Sequence, residues 1–171
     1  MRISSFSILC ILLIIGCENT PSDQKSLTDC PYPTPVAIFS DTLSAVVQHQ
    51  FSLKDMEALE EVTFHNGMGL TLIQSGCKTI RQEFQFRLPG NSFPGNNPEF
   101  WVGETLNQLQ FLTSLGPQYL SLNAWGQAID AQKEHLVLGE PTEIQIGFYA
   151  EIDKIISADH AILLLILSEK P

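Results

Sequence analysis

Any chemistry in this chain has to come from few groups. Four histidines, His49, His65, His135 and His160, are scattered along 171 residues, and no two stand three or four apart, the spacing that offers a metal two nitrogens from one helical face. No cysteine pair has zinc spacing, and neither a glycine-rich phosphate loop nor a Gly-x-Ser-x-Gly elbow is present. The sequence therefore predicts no metal, no cofactor and no catalytic residue. Glu57, Glu60 and Glu61 cluster, the pattern of a solvated face. Cys30 and Cys77 are the remaining reactive candidates. A free Cys77 within Ser75-Gly76-Cys77-Lys78 would make the chain a thiol hydrolase, given His65 or His49 as base and a third group to orient it, and the sequence brings neither within reach. The other reading joins Cys30 to Cys77 in one disulfide. It closes a loop of about 48 residues, which chain entropy values at roughly 4 kcal/mol.

A binding role has one candidate. Between Leu88 and Glu99 the sequence PGNSFPGNNP is too rich in proline, glycine and asparagine for regular structure. Long irregular loops in compact domains are often functional, and aromatics beside them offer large contact area at small entropic cost. Phe93, Phe100 and Trp101 form such a set and are the candidate lip of a binding site. The competing expectation is that aromatics at a helix start simply pack into the core.

The compartment decides how the cysteines are read. The apolar run Ile3 to Gly16 follows the single Arg2 and as a helix spans about 21 Å, too short for a hydrocarbon core of about 30 Å. It is laid out as a secretory signal that is removed. Its end, Ile14-Ile15-Gly16-Cys17, resembles the lipobox of bacterial lipoproteins. Cys10, behind the bulky Leu9, does not fit the motif. The resemblance covers residues 1–17 alone and implies cleavage between Gly16 and Cys17, a diacylglycerol on the Cys17 thiol and acylation of the new N-terminus. Two or three acyl chains hold a protein stably on a bilayer where one does so only marginally. The resemblance also implies, from Glu18 rather than Asp after the cysteine, the outer membrane in a cell that has two. An ordinary secretory signal would export the chain equally, and an oxidising compartment favours the disulfide.

Removing residues 1–16 takes Arg2 away and leaves 8 basic residues against 19 acidic ones, a net of −11. Nucleic acid and anionic lipid surfaces are poor partners for such a chain. Acidity most often serves solubility; its more specific meaning is a basic partner steered in by the field.

The elements that must position these residues follow from the hydrophobic pattern. Residues 17–35 read as a polar, proline-stiffened tether and 36–171 as a single globular domain. Val36 to Phe51 leans to strand, and Ser52 with Asp55 suggests a short helical turn. Val62-Thr63-Phe64, the His65-Asn66-Gly67-Met68 turn, Leu70–Ile73 and the alternating run Ile80–Leu88 predict a three-stranded meander from about residue 60, with a type I′ turn at Asn66-Gly67. Asn97 and Pro98 open a helix that Gly116-Pro117 stops, and a second runs from Gln118 to about Gln132. Ile144–Ile152 alternates as one strand. Ala161–Leu167 is continuously apolar, so it must be covered on both faces or lie centrally. The predicted fold is α+β, an antiparallel sheet of five or six strands with a two-helix insertion on one face. The expected function is a lipid-anchored envelope protein of non-enzymatic binding or structural role. Its partners are the membrane, through the acyl chains on Cys17, and another envelope or secreted protein. The more specific version is an acidic inhibitor or immunity protein against a basic toxin or muramidase.

Overall fold

A computed structural model describes residues 30–77 and 79–170. The signal, Gly16, Cys17 and the tether up to residue 29 lie outside the described residues.

Seven antiparallel strands form one sheet in the order β1-β2-β3-β4-β7-β6-β5. Four of them, β1 (Val46–Lys54), β2 (Glu57–Phe64), β3 (Gly69–Gly76) and β4 (Ile80–Pro89), follow each other as a meander. Two helices, α1 (Pro98–Ser114) and α2 (Leu120–Ala131), come next, linked through a 3-10 turn at Pro117–Tyr119. The chain then returns as β5 (Thr142–Gln145), β6 (Phe148–Ile156) and β7 (His160–Ser168), with β7 paired to β4. The α+β class and the two-helix insertion stand as expected, and the strand count is higher.

The extra strands arise at two turns the pattern hid. The stretch read as a helical turn is a tight hairpin at Asp55-Met56 that joins β1 to β2. The single strand read over Ile144–Ile152 is a hairpin too. Gly147, at φ +76°, turns the chain, and its N–H donates to Glu143 Oε1 at 2.8 Å. Ile146, at the tip, is 98% exposed although its spacing suited a buried face. The Asn66-Gly67 turn also differs from expectation, since only Gly67 has positive φ. Gly67 N–H donates to Phe64 O, and Phe64 N–H to Met68 O, a three-residue hairpin loop with its glycine in the left-handed region.

Alternation sorts the sheet into two faces. Val62 and Phe64, Leu70 and Leu72, Phe84 and Phe86, Leu163 and Leu165 point to the helices and form the core with Trp101, Leu109, Leu112, Leu122 and Ile129. β7 is central, between β4 and β6. On its other face Ile162, Leu164 and Ile166 are half-buried between the neighbours that register sets beside them: Glu83 and Gln85 on β4, Glu151 and Asp153 on β6. Central position thus answers the apolar run; helices cover one face only.

Residues 30–45, partly expected as strand, instead cross the sheet as an irregular strap. The Cys30–Cys77 disulfide fastens its start. Gln74 Nε2 then donates to Val36 O at 3.1 Å, and Tyr119 Oη donates to Ile38 O at 3.2 Å. The Phe39 ring lies 5.4 Å from that of Tyr119 and 5.9 Å from that of Phe64. Burial pushes the Tyr119 phenol above its ordinary pKa, as expected where a neutral hydroxyl is the cheaper form to bury.

Candidate binding site at the loop end of the sheet

Strand β4 delivers Leu88 and Pro89 to one end of the sheet, where the chain leaves through Gly90. This residue sits at φ +143°, and a Cβ on it would stand 3.2 Å from the Phe93 ring, so glycine lets the loop fold back on itself. Gly90 N–H donates to Asp159 O at 3.2 Å, tying the loop to the β6–β7 turn. There His160 Nδ1 lies 2.7 Å from Asp159 Oδ1, and this bond holds the Asp159 carboxyl below the usual carboxylate range. The loop closes at Asn97, whose side chain accepts from Phe100 N–H at 3.2 Å and caps α1.

Of the three aromatics singled out by sequence, two reach a cavity and one holds the loop. Phe93 and Phe100 line a cavity of about 260 Å³ together with Asn66, Met68, Leu88 and Pro89. Glu104 and Gln108 complete its wall. Trp101 has no exposed surface and does not line it. Its indole N–H donates to Pro94 O at 3.0 Å and to Gly95 O at 3.1 Å. Its ring carries Phe93, stacked at 6.0 Å, and Phe100, edge-on at 5.0 Å. Trp101 is thus the support on which the two cavity aromatics stand.

Sequence reasoning missed the polar wall, although a signal was present. Phe100, Glu104 and Gln108 recur every four residues, which places them on one helical stripe. Trp101, Thr105, Leu109 and Leu112 form the adjacent buried stripe. Glu104 accepts from the Gln108 side chain and, at 3.4 Å, from that of Asn107. Asn66 reaches the cavity from the β2–β3 hairpin tip, where its Oδ1 accepts from Met68 N–H at 3.0 Å. The lining has an apolar base, one carboxyl group and two side-chain amides. It includes no serine, cysteine or histidine that could act as nucleophile or base.

The other reactive candidates lie elsewhere. The sulfur of Cys77 is bonded to Cys30, so a nucleophilic thiol would exist there only after reduction. Glu60 is not on a solvated face: it has no exposed surface, accepts from Ile38 N–H and Phe39 N–H at 2.9 and 2.7 Å, and meets His49 Nε2 at 2.8 Å. Glu57 and Glu61 are exposed, as alternation requires. A second depression, about 270 Å³, lies on the open sheet face between Gln48, Gln50 and Glu61 on one side and Gln85 and Arg87 on the other. Among the described residues no group of three or more His, Cys, Asp or Glu is placed to hold a metal, and no helix is long and apolar enough to cross a membrane. Neither a protein-family model, nor a curated protein, nor a solved structure matches the chain.

Proposed function

We propose that the chain is an exported, lipid-anchored bacterial envelope protein that binds another protein, without catalysing a reaction, at the end of its sheet remote from the anchor. The observation that carries this reading is the position of the Phe93–Phe100 cavity relative to Cys30. The disulfide holds Cys30 beside the β3–β4 hairpin, and the cavity opens beside the β2–β3 hairpin, at the other end of β3. Strand β3 has eight residues, so the two ends are roughly 25 Å apart at about 3.3 Å per residue. A tether from an acylated Cys17 would enter at the Cys30 end and leave the cavity facing away from the bilayer. A mixed lining, with Phe93 and Phe100 beside the polar Asn66, Glu104 and Gln108, suits recognition of a side chain that is apolar along its stem and polar at its tip.

A more specific version, an acidic inhibitor or immunity protein for a basic toxin or muramidase, is supported by the net charge of −11 left after removal of residues 1–16. Both versions are tested by a photo-crosslinking residue placed at position 93 in cells that make the full chain, with Ile146 at the Cys30 end as the control position. A discrete adduct from position 93 alone, on a protein that mass spectrometry shows to be acylated at Cys17, is the expected result. An unmodified Cys17 on a protein recovered from the aqueous fraction sinks the anchor, and equal adducts from both positions sink the assigned binding end.

A further inference from the structure

We propose that the cavity between the β2–β3 hairpin and α1 receives one arginine side chain from the partner protein. This inference rests on the binding reading and names the chemistry of what is bound. Three features of the lining converge on it. First, the base is apolar: Met68, Leu88, Pro89 and the two phenylalanines accept a methylene stem but give no hydrogen bond to a polar one. Second, the lining holds one carboxyl group, Glu104, and no cation. The nearest cation along β4, Arg87, lies on the opposite face of the sheet, among the residues of the second depression. An anionic side chain would therefore enter against Glu104 without compensation, and a neutral polar one would offer it a hydrogen bond but no charge, whereas a cation supplies both.

Third, the carboxyl group stands beside aromatic rings. A guanidinium can lie against the ring of Phe93 or Phe100 while its N–H groups reach the Glu104 oxygens and the side-chain oxygen of Gln108. That oxygen is free to accept, because Gln108 uses its nitrogen to donate to Glu104. A lysine ammonium gains the charge contact but not the planar stacking, so arginine is the better fit. Size agrees, since about 260 Å³ holds a single long side chain and lies below the range of typical drug-sized ligand pockets.

The mature chain has two methionines, Met68 in the cavity and Met56 in the β1–β2 turn at the opposite end. With both methyl groups isotope-labelled in the mature protein, N-acetyl-arginine methylamide is titrated against its lysine and norleucine counterparts and followed by NMR. The arginine amide should move the Met68 methyl saturably and leave Met56 still. The norleucine amide should bind about tenfold more weakly, the factor that a charge contact of ordinary strength supplies. Glu104→Gln, a half-buried position on the surface of α1, should cost the arginine amide a similar factor while an unchanged Met56 signal shows the fold intact. No Met68 response up to about 50 mM, or equal binding of the norleucine amide, overturns the proposal; equal binding of the lysine amide overturns the assignment to arginine. A cross-link from position 93 without arginine binding leaves the binding reading standing and removes this inference alone. Arginine binding together with an unmodified Cys17 on the protein recovered from cells leaves this inference standing and removes the anchor alone.

Discussion

Glu60 and His49, eleven residues apart and on adjacent strands, meet at 2.8 Å under a strap of chain that the same carboxyl group holds by two backbone amides. His49 Nδ1 lies 3.4 Å from the exposed Asp41, so the ring links the buried acid to the strap's outer edge. Among the described residues no buried side-chain nitrogen or oxygen lacks a partner. Replacing Glu60 therefore leaves two backbone N–H donors and the His49 ring nitrogen without their partner at once. Glu60→Leu should cost about 3–5 kcal/mol, the range for removing one member of a buried polar set, and should speed amide exchange at Ile38 and Phe39. A urea midpoint within error of the parent would show that the strap is held without it.

The indole of Trp101 should be invisible to solvent. The chain has two tryptophans, and the other, Trp125, is only half-buried, packed against Phe148 at 5.5 Å. In Trp125→Phe, acrylamide should barely quench the remaining emission; in Trp101→Phe it should quench strongly. The second variant also frees the carbonyls of Pro94 and Gly95, so the loop should become more open to proteolysis between Gly90 and Asn97. Strong quenching of Trp101 would remove the support assigned to Phe93 and Phe100.

Legibility in the sequence followed the range of the forces involved. Alternation over Ile80–Leu88 and the Asn97-Pro98 cap specify β4 and α1 from local chemistry, and both formed at those residues. Phe93 and Phe100 were visible because loop composition marked their neighbourhood. Met68 and Asn66 were not, since a hairpin 25 or more residues away brings them to the cavity only through the pairing of β3 with β4. Glu60 was misread for a related reason. Three acids close together suggest a wet surface, and only the period-two pattern Ala58, Glu60, Val62, Phe64 places the middle one inside. What buries it favourably is the strap, which arrives from the other side of the turn with two amides to satisfy.

Tyr32 reports on the strap's attachment through its titration. Its hydroxyl donates to both carboxylate oxygens of Glu169, at 2.7 and 2.8 Å. That hydrogen bond first, then burial and the negative charge of Glu169, raise the phenol above its ordinary pKa of 10.0. A group raised in the folded state stabilises fully below its unfolded pKa and loses that contribution as pH climbs through the folded one. The contact should thus persist through neutral pH and fail only above pH 10. Phenolate absorbance should lose a late-titrating step in Tyr32→Phe, and in Glu169→Ala the same step should move to lower pH. A Tyr32 step at or below the ordinary tyrosine range would contradict the bond.

The two-residue turn between β1 and β2 carries one residue poorly suited to its shape, and this offers a stabilising substitution. Lys54 pairs with Glu57, leaving Asp55 and Met56 as a two-residue loop with φ +51° and +67°. Positive φ at both central positions defines the type I′ turn, which suits Asn-Gly. Aspartate tolerates the left-handed region through its short polar side chain, whereas methionine sets its Cβ against the backbone at about 1–2 kcal/mol. Glycine at position 56 removes that clash but adds freedom to the unfolded chain, an opposing term of roughly 0.5–1 kcal/mol. Met56 is half-buried, and its sulfur accepts weakly from the exposed Thr34 hydroxyl at 3.7 Å, so what glycine forfeits is the packing of a partly covered stem and one weak hydrogen bond. The balance favours glycine, so Met56→Gly should raise stability by about 0.5–1 kcal/mol, seen as a higher urea midpoint at unchanged slope. Because this turn lies at the end of the sheet away from the cavity, arginine binding should be unaltered; a lower midpoint would mean that the methionine stem packs on the strap more strongly than its turn is strained.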